Sequence, residues 1–344
     1  MDESRIVVVF GGASGERRVS VASAQHVAEV LPAAHAWFVA PHGAVYTDVN
    51  RALLAHVRPF ELDFVPESDA AYPSLEAALD AETARDKTFL LGFHGGAGED
   101  GTVQRMFEAR KLPFTGSGSL ASARAFDKRV AKEIVSAAGV PVADAVLIEP
   151  ANERDIEVTL GKLFEKHGRV VAKPVADGSS VGLFHVRETK DLEFTARAIA
   201  KSGLAYLAEQ FIDGTELTIG VADMGDGPRA LCASEVRLAP GRAFDFEGKY
   251  LGKGTIELTP AEVSNDVADA GMKVALAAHR ALGCEGYSRT DVISAKYGPI
   301  FLETNTLPGL TKASFIPQQI AVKHISMRAF LERQVEIATK RAGT

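Results

Sequence analysis

The sequence predicts a chain that joins α/β and α+β architecture in three domains, opening on an N-terminal parallel-sheet domain. Three observations predict it. A length of 344 residues corresponds to two or three domains. The apolar runs Ile6-Val-Val-Val-Phe10 and Thr88-Phe-Leu-Leu-Gly-Phe93 each lead through glycines into a helical stretch, which is how an α/β unit is built. From 117 to 212 short strands mix with helices, and after Gly214 the strands lengthen. The expected boundaries are 1–116, 117–212 and 213–344.

Composition removes several classes of function. Hydrophobic residues make up 46% and charged residues 24%, too apolar for a chain that is mainly disordered. Lys+Arg number 38 and Asp+Glu 45, a net charge of −7 that argues against a broad nucleic-acid footprint. Two cysteines, Cys232 and Cys284, make no disulfide scaffold, and a reducing cytoplasm is the expected setting. No apolar run reaches the roughly 18 residues of a membrane span. The first strand is too short and wrongly flanked for a signal peptide.

In chain order, strand 6–10 is followed by Gly11-Gly12-Ala13-Ser14-Gly15-Glu16 and a helix over 19–31. Residues 58–74 are punctuated by proline and read as an irregular connection. Strand 88–93 ends in His94-Gly-Gly-Ala-Gly-Glu-Asp-Gly101, a tight glycine loop before a helix over 102–111. Pro113-Phe-Thr-Gly-Ser-Gly118 marks a boundary. One helix is expected over 120–138, stopped by Gly139 and Pro141, and another over 153–167. Strands follow at 169–174, 184–186 and 204–211, with a helix at 190–201. Strands 216–222 and 230–236 precede a long polar excursion, 238–257, which reads as a lid or as disorder. A helix over 265–282 leads to two final strands, 287–293 and 299–305, and then Pro308-Gly309.

Those two final strands carry the sharpest chemical clue. Arg289 and Asp291 share one strand face, as do Glu303 and Asn305. A turn centred on Tyr297 would oppose Asp291 to Glu303 and Arg289 to Asn305. Carboxylates directly opposite one another repel, so such a pair suggests a cation between them. Two carboxylates and an amide oxygen are hard ligands suited to Mg²⁺ that bridges phosphates. A turn offset by a bulge, with both acids merely solvated, is the other reading. Lys173 closes an apolar strand before the small-residue loop 175–182, whose backbone N–H groups could cradle an anion. Lys128 is either a surface charge or a second phosphate contact, and Lys249 is either lid or solvent. Glu16 either stabilises the helix N-terminus behind it or binds a substrate ammonium. His94 is the histidine placed at a strand end where chemistry could use it. A dinucleotide fingerprint, a Gly-Lys-Ser/Thr phosphate loop, an HExxH helix and a Gly-x-Ser-x-Gly elbow are all missing from the sequence.

The motifs, taken in order, resemble the D-alanine–D-alanine ligases of the ATP-grasp superfamily. The resemblance rests on Gly11-Gly-Ala-Ser-Gly-Glu-Arg-Arg-Val-Ser20, His94-Gly-Gly-Ala-Gly-Glu-Asp-Gly-Thr-Val-Gln104, Pro113-Phe-Thr-Gly-Ser-Gly118, Phe126-Asp-Lys128 and Lys173-Pro-Val-Ala-Asp-Gly-Ser-Ser-Val-Gly182. It continues through Glu209-Gln-Phe-Ile-Asp-Gly-Thr-Glu216, Glu247-Gly-Lys-Tyr250, Arg289-Thr-Asp291 and Glu303-Thr-Asn-Thr-Leu-Pro-Gly309. It implies a three-domain ATP-grasp fold, with the central and C-terminal domains enclosing ATP. It implies that Lys128, Lys173 and Lys249 contact phosphates, and that Glu209, Gln210 and Ile212 meet the adenine. Glu216 would bind the ribose, and Asp291, Glu303 and Asn305 would hold two Mg²⁺, with Mn²⁺ as a substitute. Glu16 and His94 would bind the first amino acid, and Ser314 the carboxylate of the second. Ser179 and Tyr250 would lock the lid to Glu16, while Arg289 and the Gly309 N–H would serve as oxyanion donors. The implied activity is the joining of two D-alanine molecules through an acyl phosphate for cell-wall precursor synthesis, in a cytoplasmic homodimer. Ala176-Asp177 and Lys312-Ala313 depart from the family's usual text. They leave D-serine, D-lactate or another amino acid open as second substrate.

Overall fold

The computed structural model describes residues 2–176, 182–238 and 255–343. It contains three sheets, each built from one stretch of the chain.

The first sheet has the order β3-β2-β1-β4. Strand β1 (Ile6–Gly11) runs parallel to β2 (His35–Val39) and to β4 (Thr88–Leu91), and β3 (Val45–Tyr46) adds an antiparallel edge. All six residues of β1 are buried, which explains its unbroken apolar text: a strand covered on both faces needs no alternation. Helix α1 (Arg17–Val30) packs on one face, and α2 (Asn50–Ala55), α3 (Leu75–Asp80) and α4 (Thr102–Ala109) complete this part. Gly11 turns the chain from β1 at φ 101°, where a Cβ would stand 2.3 Å from the Val39 carbonyl oxygen. Only glycine makes that turn.

The helix expected over 120–138 is two helices, α5 (Ser119–Phe126) and α6 (Lys128–Ala137). Asp127 breaks it. Its backbone is extended, and its carboxylate accepts the Val130 N–H at 2.9 Å, so the aspartate acts as an N-cap rather than as a helix interior residue. Lys128 therefore stands at the first position of a new helix.

The second sheet is antiparallel, in the order β5 (Ala145–Ile148), β8 (Tyr206–Gln210), β6 (Val170–Pro174) and β7 (Phe184–Val186). Helices α7 (Glu153–His167) and α8 (Lys190–Ser202) cover one face through Ile156, Leu160, Leu192, Ala196 and Ile199. The third sheet, also antiparallel, has the order β11 (Thr255–Leu258), β10 (Pro228–Leu238), β9 (Thr215–Asp223), β12 (Tyr287–Ala295) and β13 (Gly298–Asn305). Helix α9 (Asn265–Leu282) packs on it, capped by Ser264 at one end and by left-handed Gly283 at the other. Two C-terminal helices, α10 (Phe315–Val322) and α11 (Met327–Ala342), carry the chain back to the first sheet: Ile316, Ile320, Phe330 and Leu331 share a core with β1 and α1.

Candidate active site

The hairpin of β12 and β13 pairs Asp291 with Glu303 and Arg289 with Asn305, as the sequence suggested, but not through the expected turn. The tip is the two-residue turn Lys296-Tyr297, with Ala295 opposite Gly298. Such a tip, continued regularly, would face Asp291 with Leu302 and turn Glu303 to the other side of the sheet. A bulge between Val292↔Phe301 and Asp291↔Glu303 inserts one extra residue and restores the pairing. The bulge is present, and it brings the acids together rather than separating them.

Asp291 is 4% exposed and held from two sides. The Arg289 guanidinium forks onto it, Nε to Oδ1 at 3.1 Å and Nη2 to Oδ2 at 2.9 Å. From the neighbouring strand the Thr218 hydroxyl donates to Oδ1 at 2.8 Å. Glu303 meets the Lys128 ammonium at 3.7 Å. The Asn305 side-chain oxygen accepts the Leu307 N–H at 2.8 Å, and an amide oxygen keeps a second lone pair for a ligand.

Lys128 and Lys132 lie one turn apart on α6 and so share a face. Both are buried, which settles the open reading of Lys128 against a surface charge. The Lys128 backbone N–H donates to the Val175 carbonyl at 3.0 Å, tying α6 to the chain just beyond β6. Lys173 and Glu209 lie diagonally on paired strands, and the Lys173 ammonium stands 3.2 Å from Glu209 Oε1. Lys132 reaches the same oxygen at 3.3 Å and donates to the Phe301 carbonyl at 3.2 Å. Burial pulls the Lys132 ammonium down to about 8, against the opposing pull of Glu209. Burial acts to raise Glu209, but the charges of Lys173 and Lys132 outweigh it and hold its carboxyl below the ordinary value.

A second pocket lies where the loop after β4 meets α1. Glu16 precedes the helix, and its Oε2 lies so close to Gly95 that a Cβ there would stand 2.7 Å away. His94 is 5% exposed; its Nε2 lies 3.0 Å from the Ser23 hydroxyl and its Nδ1 3.9 Å from Glu99 Oε1. Burial lowers the His94 pKa, with the Glu16 charge opposing, so the ring is neutral at neutral pH. Burial, then the Glu16 charge, pushes Glu99 up to about 8. Arg289 and Glu303 also act on Glu99, so this pocket adjoins the hairpin. The Ser23 hydroxyl accepts the Leu310 N–H at 3.2 Å, and His26 Nδ1 lies 2.7 Å from the Leu310 carbonyl, which fixes the 305–310 turn against α1. A Cβ on Gly309 would stand 2.6 Å from Ser314 Oγ. Ser314 is the N-cap residue of α10, and its hydroxyl lies 2.8 Å from that of Thr311.

The remaining expected residues stand apart in kind. Gln210 ends β8, and its backbone N–H already donates to the Asp144 carbonyl at 2.8 Å, so its carbonyl is the backbone group it could offer a base. Ile212 is buried beside Ala143, Ala295 and Ile300. Glu216 lies on β9 opposite Ile293. Ser179, Lys249 and Tyr250, with most of the expected lid 238–257, lie outside the described residues. Sequence reasoning gave no role to Glu99, Lys132 or Thr218. Lys132 carried a signal in its four-residue spacing from Lys128; Thr218 carried one in its strand parity with Glu216.

The donor set fits a polyphosphate with hard cations. Opposed carboxylates and an amide supply oxygen ligands, and buried ammoniums stand beside them. Residues 5–117 match the family model described as the D-ala D-ala ligase N-terminus, and residues 134–336 match that of the D-ala D-ala ligase C-terminus. A D-alanine–D-alanine ligase of Leptospira interrogans (strain Fiocruz L1-130) is 36% identical over 359 aligned positions, covering 98% of this chain and 99% of that one. The structure of the D-alanine–D-alanine ligase from Coxiella burnetii superposes with a TM-score of 0.81 at 23% identity, covering 100% of this chain and 96% of its own. That of the Bacillus anthracis D-alanine–D-alanine ligase complexed with ATP superposes with a TM-score of 0.72 at 26% identity, covering 98% of each chain. With both halves matched in order and close to the full length shared with such relatives, this chain belongs to the D-alanine–D-alanine ligase family, of ATP-grasp fold.

Proposed function

We propose that this chain joins two D-alanine molecules at the expense of ATP, with the residues above in the following roles. The observation that carries the reading is Asp291 opposite Glu303 with Lys128 3.7 Å from the latter. Lys128 and Lys173 hold the phosphates, Glu209 reads the adenine amino group, Gln210 and Ile212 offer it backbone groups, and Glu216 takes the ribose. Asp291, Glu303 and Asn305 would hold two Mg²⁺, which would supply neutralising charge for the phosphates. Lys249 would touch the γ-phosphate, and Ser179 and Tyr250 would complete a hydrogen-bonded lock with Glu16.

A carboxylate acylates poorly because oxide would have to leave. Attack of the first D-alanine carboxylate on the γ-phosphorus of ATP breaks the bond to the β-phosphate, releases ADP and gives an acyl phosphate, whose phosphate leaves readily. Glu16 grips the ammonium of that first amino acid, and neutral His94 shapes its pocket. Ser314, at the start of α10, orients the carboxylate of the second. The neutral amine of the second attacks the acyl carbon, while Arg289 and the Gly309 N–H stabilise the oxyanion. Exclusion of water protects the acyl phosphate from hydrolysis. The dipeptide serves cell-wall precursor synthesis in the cytoplasm, and the active form is a homodimer, which sedimentation would test.

The decisive experiment is D-alanine-dependent phosphate release from ATP, repeated with D-serine and with D-lactate. Strong stimulation by D-alanine and dipeptide formation are expected. Stimulation by another amino acid alone would reassign the substrate, and no stimulation by any would remove the ligase reading.

A further inference from the structure

Lys132 has no part in the roles above, yet its placement is demanding. Its side chain is 6% exposed, and it reaches three elements from a fourth: Glu209 on β8, the Phe301 carbonyl on β13 and, through Glu209, Lys173 on β6. A buried ammonium is costly unless paired, and Glu209 already has a cation in Lys173. Charge balance therefore does not ask for the second lysine, whose charge opposes that of Lys173.

What the second ammonium adds is geometry. Lys173 and Lys132 approach the same oxygen, Oε1, from a strand and from a helix. A buried carboxylate with one oxygen drawn between ammoniums from two elements has little room to swing, so its other oxygen is presented in one direction. An ionised carboxylate only accepts hydrogen bonds. Held still, it accepts from an exocyclic amino group and repels a keto oxygen at the same position. Through the Phe301 carbonyl the same ammonium is tied to the strand that carries Glu303, two residues on.

We propose that Lys132 is a positioning residue that fixes Glu209 as the reader of the adenine 6-amino group, and so sets the preference of the site for adenine over guanine nucleotides. This rests on the reading of Glu209 as the base contact. The test compares the full-length protein with Lys132→Met and Lys132→Arg. ATP and GTP affinities are measured by equilibrium dialysis without D-alanine, alongside KM for ATP, KM for D-alanine and kcat. In Lys132→Met, ATP affinity and KM weaken by about tenfold while GTP binding and KM for D-alanine hold, so the ATP/GTP preference falls by the same factor. Lys132→Arg, which keeps the charge, restores most of it. If Lys132→Met does not fold, Lys132→Gln replaces it, keeping a donor for the Phe301 carbonyl without the charge, and the same loss of preference is expected. A folded neutral variant with an unchanged ATP/GTP ratio would reduce Lys132 to a structural lysine and overturn the proposal. A wild type without ATP preference would overturn it through Glu209, whereas the phosphate-release assay judges the ligase reading separately.

Discussion

Three carboxylates of the two regions are buried alike, Glu209 at 3%, Asp291 at 4% and Glu99 at 9% exposure, but they are neutralised differently. In the hairpin region cations do it: Arg289 on Asp291, Lys128 on Glu303, Lys132 and Lys173 on Glu209. At Glu99, in the pocket, a proton does it, since burial and then the Glu16 charge push its carboxyl up to about 8, and burial keeps its histidine neighbour neutral. The difference matches the cargo each region is proposed to take. A site for polyphosphate and metal needs fixed cations whose acid partners can pass to the metal. A site for an ammonium needs no fixed cation on Glu99, which its own proton neutralises.

The largest break in this comparison is expected from Arg289→Met, which removes the proposed oxyanion donor and unforks Asp291. Turnover should fall by roughly 10²–10³ at saturating substrates in a phosphate-release assay. Glu16→Gln should raise KM for D-alanine by about 10- to 100-fold, the worth of a hydrogen bond to a charged group, and leave KM for ATP in place. If KM for ATP moved instead, the division of labour between the regions would fail. Thr218→Val keeps the shape but removes the hydroxyl that donates to Asp291. Mn²⁺ binding in the presence of ATP, followed by electron paramagnetic resonance, should weaken by about tenfold.

The smallest effect concerns stability and pH. Folding raises Glu99 from 4.5 to about 8, so the folded chain keeps a proton that the unfolded chain loses. Stability from that linkage is full below the unfolded value and is lost as pH rises to about 8. Glu99→Gln does not titrate, so its melting temperature should gain on the wild type by about 2–4 °C more at pH 8 than at pH 5. A gap independent of pH would mean that Glu99 is already ionised at pH 5 and the pocket is not proton-neutralised.

Much of the fold was legible because its signals are local. The apolar text of β1, the Ser264 and Gly283 caps around α9 and the strand parity of Arg289 with Asp291 are all written within a few residues. The break at Asp127 was also local, a capping residue placed before a lysine, but the run of helix formers around it hid it. Strands β2 and β5 are short, of five and four residues, and Pro41 and Gly43 after the one and Pro150 after the other were there to frame them. Helix α11 carried a Ser326 cap and apolar residues at helical spacing that were there to be read. Burial of charge was not legible. Lys132 meets a glutamate 77 positions along the chain, and Glu99 takes its proton because it is buried and, after that, because of Glu16 across the pocket. Such facts depend on which elements pack together, which composition and periodicity do not contain.

The extra residue in β13 has a consequence for comparing relatives. Eleven residues separate Asp291 from Glu303, spent here as a two-residue tip, two four-residue arms and one bulged position. A three-residue tip with regular arms uses the same eleven and faces the same acids, which is why a wrong tip gave the right pairing. Lineages can therefore exchange tip for bulge without disturbing the acids. An alignment that places its gaps by tip length would misassign the second acid by one position, whereas counting from Asp291 through the whole hairpin would not.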